Sequence, residues 1–252
     1  MNVRGFPFRR LLALVTLGLS AVVFSGCGAL GGAQNTFAPK GDVADMQRDM
    51  FIMVLIPATI ICVLVFGALM YILVRYRQRE GDPLPKQIHG NVRLEVAWTV
   101  LPMMLLIGLA VPTLKGVIDL GHAPKASDLH VTVVASQWQW QFQYTDPEFA
   151  APDGSPLTTK ELHIPVGRQV GYTLESRDVI HSFWVPKLAG KLDVIPGRQN
   201  QLRFNATEPG TYSAQCAEFC GIGHPAMRFT VIAQSADDFQ AWAQQQLSAP
   251  SQ

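Results

Sequence analysis

Charged residues are scarce in this 252-residue chain, because Asp, Glu, Lys and Arg together make up 15% of it, whereas about 25% is usual for a soluble domain. The shortage is local: residues 51–74 and 96–114 contain none of the four, while the part after residue 114 has an ordinary globular composition. A formal net charge of +1 argues against a nucleic-acid partner, which would require a basic surface. The sequence therefore predicts a membrane protein with a soluble domain.

Cysteine is also scarce, with four residues in all, and the chain has neither a glycine period nor a heptad repeat. These absences exclude a disulfide-dense scaffold, a collagen and a coiled coil. The hydrophobic fraction of 48% excludes a chain that is disordered throughout.

The first 26 residues have the order of a secretory signal peptide, with arginines at positions 4, 9 and 10, an uncharged run over residues 11–24 and small residues before Cys27. The uncharged run is too short to cross a hydrocarbon layer of about 30 Å. Because Ser-Gly-Cys resembles a bacterial lipoprotein cleavage site, we expect Cys27 to be lipidated, with a free thiol as the alternative. Residues 27–48 are polar and are expected to form an extended tether on the outer side.

The two uncharged runs predict transmembrane helices over residues 49–76 and 94–115, since the runs would extend over about 36 and 28 Å as helices. Residues 77–93 connect the helices, and lysines and arginines outnumber acidic residues there, so the positive-inside rule makes this loop cytoplasmic. Both termini and the soluble domain then lie on the outer side, which is the periplasmic side of a bacterial inner membrane. Cys62, in the middle of the first span, is expected to pack as a small apolar residue.

From Leu129 onward the hydrophobic pattern has a period of two, over residues 129–135 and again over 199–206 and 227–233, which predicts β-strands. Glycine and proline turns divide this region into short segments, as is typical of a Greek-key sandwich or barrel. We expect an all-β domain over residues 126–234. Ser235 precedes two aspartates and an amphipathic pattern, so residues 235–252 are expected to form a closing helix and a tail.

Two cysteines, a histidine and a methionine occur within twelve residues, at Cys216, Cys220, His224 and Met227, and a second histidine, His181, lies on another predicted strand. Soft sulfur together with imidazole selects copper or zinc. A single blue-copper ion needs one cysteine, two histidines and an axial methionine, so this set has one thiolate too many. Two thiolates can bridge two coppers, each completed by one imidazole, and such a pair can share one electron with little change in geometry.

Three simpler interpretations of these residues stay open at this point. In an exported protein Cys216 and Cys220 could form a disulfide. Together with His181 and His224 they could instead bind one structural zinc ion. Met227 taken alone could be an ordinary core residue.

The sequence resembles subunit II of a haem-copper oxidase of the cytochrome c oxidase type over about residues 45–245. The resemblance rests on EVAWTVLP at 95–102, QWQW at 137–140, HSFWVP at 181–186, KLDVIPG at 191–197 and QCAEFCGIGHPAM at 215–227. It implies a membrane-anchored all-β protein, in which a two-helix transmembrane hairpin is followed by a cupredoxin-like Greek-key β-barrel or sandwich and a C-terminal helix.

The resemblance also implies a dinuclear copper A centre. Its ligands would be the side chains of His181, Cys216, Cys220, His224 and Met227 and the main-chain carbonyl of Glu218. The carboxylate of Glu218 would in addition bind a magnesium ion shared with subunit I. No haem ligand is expected in this chain, because neither span contains a histidine and no Cys-x-x-Cys-His motif is present.

Two further residues acquire roles from the resemblance. Trp138 corresponds to the surface tryptophan at which electrons arrive from cytochrome c, although its alternation with Trp140, Phe142 and Tyr144 favours a buried strand face. An exposed Trp138 requires the strand to begin at the edge of the domain. Glu95 corresponds to the carboxylate at the mouth of a proton pathway into subunit I; the alternative is a solvated carboxylate in the first turn of a helix.

The function implied is that of the subunit at which electrons enter a proton-pumping terminal oxidase, with cytochrome c as donor and haem in subunit I as acceptor, where oxygen is reduced to water. The expected partners are subunit I, subunit III, cytochrome c and membrane lipid. Quinol oxidase relatives lack these cysteines and histidines, so their presence favours cytochrome c. After residue 115 there are 13 acidic and 9 basic residues, and an acidic surface would attract a basic cytochrome.

Three other functions are alternatives to this one. The chain could be the copper A subunit of a nitric oxide reductase, which would share the copper loop. It could be a membrane-tethered copper carrier, although a carrier needs exchangeable ligands and usually one copper. It could also be a purely structural anchor.

Overall fold

The computed structural model of the chain describes residues 14–19, 32–81, 83, 86, 87 and 89–248. The predicted signal-peptide cleavage site, Cys27 and the last four residues lie outside this described part. Residues 14–19 are helical. Two long helices follow, α1 (Asp42–Arg75) and α2 (Val92–Leu120), then a β domain, and finally helix α3 (Ala236–Ser248).

The β domain consists of two five-stranded sheets, in the orders β3-β2-β1-β5-β8 and β4-β10-β9-β6-β7. Its strands are β1 (Leu129–Ser136), β2 (Gln139–Tyr144), β3 (Leu157–Thr159), β4 (Leu162–Pro165), β5 (Val170–Ser176), β6 (His181–Trp184), β7 (Lys191–Val194), β8 (Asn200–Phe204), β9 (Gly210–Cys216) and β10 (Arg228–Gln234). One pair in each sheet is parallel, β1 with β5 and β4 with β10, and the other pairs are antiparallel. The predicted β-sandwich between a helical hairpin and a closing helix is thus confirmed.

Helices α1 and α2 are long and apolar enough to cross a membrane, and their most apolar windows are not buried against protein. The structure differs from the sequence-based expectation at the start of α1, which begins at Asp42. Residues 42–48 were expected to belong to an extended tether, and they instead form the first two turns of the helix. The reason is a contact with the β domain, which the local sequence does not reveal.

The first turn of α1 is bonded directly to the β domain. Asp42 accepts hydrogen bonds from the main-chain N–H of Asn205 at 3.0 Å and from the side chain of Gln169 at 2.5 Å, and the N–H of Ala44 donates to the carbonyl of Leu188. Gly41 permits this approach, because a Cβ atom there would lie 2.3 Å from the same carbonyl oxygen. Leu188 belongs to the loop between β6 and β7, so the membrane anchor is fixed to a segment that continues from His181.

An aromatic core joins the two sheets beneath the predicted metal ligands. Phe183 of β6 packs on Phe229 of β10, with ring centroids 5.0 Å apart, and Trp140 meets Phe183 edge-on at 5.9 Å. Tyr172 stacks on Phe204 at 4.4 Å, and both rings also lie near Phe183. Alternate strand residues point to the same face, so the packing of Phe183 also directs the side chain of His181 inward.

A buried ion pair joins the start of β1 to β8. Asp128 accepts two hydrogen bonds from the guanidinium of Arg203, at 2.5 and 3.0 Å, and its side chain is 2% exposed against 25% for Arg203. The hydrogen bond from Arg203 lowers the pKa of Asp128 despite the opposing effect of burial. The ion pair therefore stabilises the fold at pH values above the ordinary pKa of an aspartate, and this contribution is lost as the pH falls through the lowered value.

Asp128→Ala should lower the free energy of unfolding by about 2 kcal/mol at neutral pH, less than the roughly 3–5 kcal/mol of a fully buried pair because Arg203 keeps some solvent contact. Glu148→Ala is the control, since its pair with Arg168 is exposed and 3.5 Å long and should contribute less than about 0.5 kcal/mol. Thermal unfolding of the full chain in detergent measures both. Equal losses in the two variants, or an Asp128 effect that persists at acidic pH, would contradict the assignment.

Candidate metal centre

The sulfur and imidazole donors meet at one end of the second sheet. His181 opens β6 and Cys216 closes β9, and these neighbouring strands pair with Phe183 opposite Cys216. The chain then forms a loop with a short 3₁₀ turn at His224 and returns into β10 directly after Met227. Strand pairing thus brings together ligands that lie 35 residues apart in the sequence.

The donor atoms lie at the spacing expected of ligands to a common metal. The sulfurs of Cys216 and Cys220 are 3.8 Å apart. Cys216 Sγ is 3.9 Å from His181 Nδ1, while Cys220 Sγ is 3.7 Å from both His224 Nδ1 and Met227 Sδ. Two ligands bonded at 2.0–2.3 Å to one tetrahedral ion lie about 3.5 Å apart. The disulfide alternative is wrong in this structure, because both cysteines are free and a disulfide requires about 2.05 Å.

Most of these donors are shielded from water. Cys216, Cys220 and Met227 are 3%, 4% and 1% exposed, and His181 is fully buried. Burial, followed by the nearby Cys216, raises the pKa of Cys220 to about 11. Two thiolates so close together are therefore unfavourable unless a cation is bound between them, and a soft metal ion provides that charge as it displaces the thiol protons. The residues present fit a copper site.

Glu218 has two separate surroundings. Its main-chain carbonyl oxygen lies 3.2 Å from Cys216 Sγ, within the donor cluster, whereas its side chain is exposed. The carbonyl is therefore placed to act as a weak sixth donor, and the carboxylate lies on the surface of the domain.

Trp138 occupies the turn between β1 and β2 and is 42% exposed. Its indole N–H donates to the carbonyl of Cys220 at 3.2 Å. Gly223 makes room for the indole, because a Cβ atom there would lie 2.4 Å from the ring. The three aromatic residues that follow at alternate positions, Trp140, Phe142 and Tyr144, are buried, which confirms their expected core role and separates them from Trp138.

Asp178 and Gln137 also contact the centre, although no sequence pattern marked either as a site residue. Asp178 Oδ1 lies 2.9 Å from His181 Nε2, and its Oδ2 accepts from the main-chain N–H of Gln137 at 2.6 Å. Burial alone would raise the pKa of Asp178, but the hydrogen bonds from His181, Gln137 and Val179 outweigh it and lower the pKa. In the sequence, the features that could have indicated these two residues are the position of Asp178 three residues before His181 and the position of Gln137 next to Trp138.

Glu95 is remote from this cluster. It is exposed in the first turn of α2, where the side chain of Asn91 caps the helix by accepting from the N–H groups of Arg93 and Leu94. The metal centre lies in the β domain beyond the other end of α2, which is about 43 Å long. Glu95 and the donor cluster therefore lie toward opposite ends of α2.

Comparison with known proteins places both parts of the chain in one family. The family model for the periplasmic domain of cytochrome c oxidase subunit II matches residues 129–235, and the model for its transmembrane domain matches residues 36–115. The cytochrome c oxidase subunit 2 of Alkalihalophilus pseudofirmus is 40% identical over 212 residues, which cover 82% of this chain and 60% of that protein. The Bacillus subtilis protein of the same name is 36% identical over 251 residues, which cover 93% and 67%.

The chain belongs to the cytochrome c oxidase subunit II family. The matched parts make it a membrane-anchored protein with a copper-binding β domain outside the membrane. A quinol oxidase subunit 2 from Bacillus spizizenii is also similar, with 35% identity over 246 residues that cover 94% of this chain and 73% of that protein. The chain spans 60% of the length of the first relative.

Cys220→Ser should reduce copper affinity by at least about 100-fold, because a hydroxyl group is a poor ligand for soft copper. Cys62→Ser is the matched control, since Cys62 lies in α1 far from the cluster and is exposed in this chain. The measurement is copper retained per full chain in detergent against a chelator of known affinity. Full retention by Cys220→Ser, or an equal loss in Cys62→Ser, would disprove this centre.

Proposed function

We propose that this chain is the subunit at which electrons enter a proton-pumping terminal oxidase. Electrons from cytochrome c would arrive at a dinuclear copper A centre and pass to haem in subunit I, where oxygen is reduced to water. The observation that carries this proposal is the arrangement of the donors around two sulfurs 3.8 Å apart, each within 4 Å of a different imidazole.

This arrangement supports two metal positions over one. The donor atoms of His181, Cys216 and Cys220 lie within 4.8 Å of one another, and His224 is not part of that group. A single tetrahedral zinc ion would hold all four donors about 3.5 Å from one another. With two metal ions, His181 and His224 would serve different ions, which agrees with the separation of His224 from the group.

The six proposed ligands are His181, Cys216, Glu218 by its carbonyl, Cys220, His224 and Met227. The bound copper pair would supply a one-electron acceptor and donor. The protein contributes rigidity, because most donors are buried and lie beside paired strands, and it excludes water from the sulfurs. These properties keep the donor positions nearly constant, as rapid electron transfer requires.

Trp138 is proposed as the point at which electrons arrive, because it connects the surface with the main chain of a ligand. After Ile118, all the exposed large apolar side chains of the described residues belong to segments that adjoin the centre: Trp138, Val179, Ile180, Phe219 and Ile222. Exposed apolar side chains clustered in this way mark a protein-binding surface. Cytochrome c and subunit I are the proposed partners at this surface, with subunit III and membrane lipid as further partners of the complex.

The choice of cytochrome c over quinol rests on the donor set. Quinol oxidase relatives lack the cysteines and histidines by the resemblance described above, and this chain has all of them at ligand spacing.

The exposed carboxylate of Glu218 is proposed to bind magnesium together with subunit I. Glu95 is proposed to stand at the cytoplasmic mouth of a proton pathway, in a bacterial inner membrane with both termini and the β domain on the periplasmic side.

Neither a nitric oxide reductase nor a copper carrier is favoured. The curated relatives described above are named as cytochrome c or quinol oxidase subunits. A carrier needs exchangeable ligands, whereas Cys216, Cys220 and Met227 are almost completely buried.

A signal peptide over residues 1–26 and lipidation of Cys27 are part of the same proposal, and mass spectrometry of the mature N-terminus tests them.

Copper counting tests the two-metal assignment. The full chain should bind two copper ions, and paramagnetic resonance should show one electron shared by both nuclei. Cys216→Ser should abolish the shared signal, because an oxygen atom is a poor bridge for soft copper, while Cys62→Ser should retain it. One copper per wild-type chain, or a shared signal that survives in Cys216→Ser, would refute the assignment.

Trp138→Phe should slow the reduction of the copper centre by cytochrome c by about tenfold or more, equivalent to a barrier about 1.4 kcal/mol higher, because the indole N–H bond to Cys220 is lost. Copper content should not change. Trp242→Phe is the control, because Trp242 lies in α3 and stacks on His163, away from the loop. Stopped-flow reduction of the assembled oxidase is the measurement, and an unchanged rate in Trp138→Phe would exclude this path.

A further inference from the structure

We propose that Asp178 and Gln137 form a hydrogen-bonded clasp between two segments, the start of β6 at His181 and the loop of residues 216–227, called the cysteine loop. The clasp holds the donor atoms of both segments in position before any metal binds. They are positioning residues, since they act on the copper centre through His181 and Cys220. The inference rests on the proposed copper centre and adds to it the feature that prearranges its ligands.

Asp178 fixes the orientation of the His181 ring. Its carboxylate accepts from His181 Nε2 at 2.9 Å, from the N–H of Gln137 at 2.6 Å and from the N–H of Val179 at 2.7 Å. A carboxylate that accepts from Nε2 selects the tautomer with the proton on that nitrogen, which leaves a lone pair on Nδ1. Nδ1 is the atom that faces Cys216 Sγ at 3.9 Å. The ring is therefore ready to bind metal on the side of the sulfurs.

Gln137 extends the same network to the other metal-binding segment. Its main chain is held by Asp178, while its side-chain Nε2 donates to the carbonyl of Cys220 at 2.8 Å. Gly221 allows the amide to approach, because a Cβ atom there would lie 3.1 Å from Nε2. The Cys220 carbonyl thus receives two donors from one turn, the amide of Gln137 and the indole of Trp138. This fixes the main chain that carries one of the two sulfurs.

The network requires a carboxylate at position 178. Both oxygens are used as acceptors, Oδ1 for His181 and Val179 and Oδ2 for Gln137. An asparagine has one acceptor oxygen, so its NH₂ group would face either His181 Nε2–H or the N–H of Gln137, and two donors cannot bond to each other. Asp178→Asn therefore breaks one arm of the clasp with almost no change in volume. It also removes a negative charge beside a copper ligand, which raises the reduction potential because the oxidised centre is stabilised less.

The chain contains a matched control pair. Asp146 Oδ1 lies 2.9 Å from His130 Nδ1, and Asp146 Oδ2 accepts from the N–H of His130 at 3.0 Å. This aspartate–histidine pair has the same length as Asp178–His181 and lies at the start of β1, outside the metal cluster. Asp146→Asn makes the same chemical change without touching a ligand.

The experiment compares the full chain in detergent as wild type, Asp178→Asn and Asp146→Asn. Nitrogen-15 NMR of the metal-depleted chain, labelled at the histidine rings, should show one His181 tautomer in the wild type and in Asp146→Asn, and a mixture in Asp178→Asn. Copper affinity, measured against a competing chelator, should fall about 10–100-fold in Asp178→Asn alone, and the reduction potential of the loaded chain should become more positive in that variant alone.

Gln137→Ala provides a second test if Asp178→Asn fails to fold, because it removes only the arm to Cys220. It should lower copper affinity while leaving the His181 tautomer as in the wild type. Unchanged tautomer and affinity in Asp178→Asn, or unchanged affinity in Gln137→Ala, would overturn the clasp. If the wild type binds only one copper without a shared electron, the proposed function fails, and the NMR comparison of the metal-free chains still decides whether the clasp exists.

Discussion

The close approach of two cysteine sulfurs is the constraint on which the rest of the β domain depends. The two sulfurs are 3.8 Å apart, and their surroundings raise the pKa of Cys220 to about 11, so the Cys220 thiol stays protonated until a cation neutralises the charge it would carry. A site of this kind gains its binding energy from the metal only if the protein already holds the sulfurs at that spacing, because a flexible loop would first lose conformational entropy. The surrounding strands and hydrogen bonds hold the loop and thereby limit this loss.

Three parts of the molecule meet this requirement together. The pairing of β6 with β9 places His181 beside Cys216, and β10 closes the loop after Met227. The aromatic packing of Phe183 supports β6 from below. The loop that follows β6 is in turn bonded to the first turn of α1. A continuous set of contacts therefore runs from α1 to the segment of His181, a proposed copper ligand, and it joins the donor cluster to the helical hairpin.

Local sequence patterns predicted the parts of the fold that depend on local physics. The alternation over residues 129–135 became β1, and the capped amphipathic segment after Ser235 became α3, which Asp238 and Ser235 cap by mutual hydrogen bonds. The cluster of donors was predictable because four of its five side chains lie in one loop. Contacts between distant segments were not predictable: the early start of α1 depends on Asn205, 163 residues away, and the bonds of Gln137 to Asp178 and Cys220 span 41 and 83 residues. The alternating pattern likewise could not show that Trp138 lies in a turn. Trp138 stands two residues before Trp140, so it fits the alternation of β2 although it lies outside the strand.

The cysteine loop divides its side chains between two tasks. Cys216, Cys220 and Met227 point inward and are almost fully buried, whereas Phe219 and Ile222, in the same loop, are 77% and 93% exposed. Burying a large apolar side chain stabilises a protein by about 1.5–3 kcal/mol. Phe219 and Ile222 do not contribute this stabilisation within the chain, because both are exposed. The gain is available only on contact with another surface, and both side chains belong to the surface proposed to bind a partner protein. The inward side chains thus provide donors of the candidate metal centre, while the outward ones belong to the proposed protein-binding surface, so one loop contributes to both.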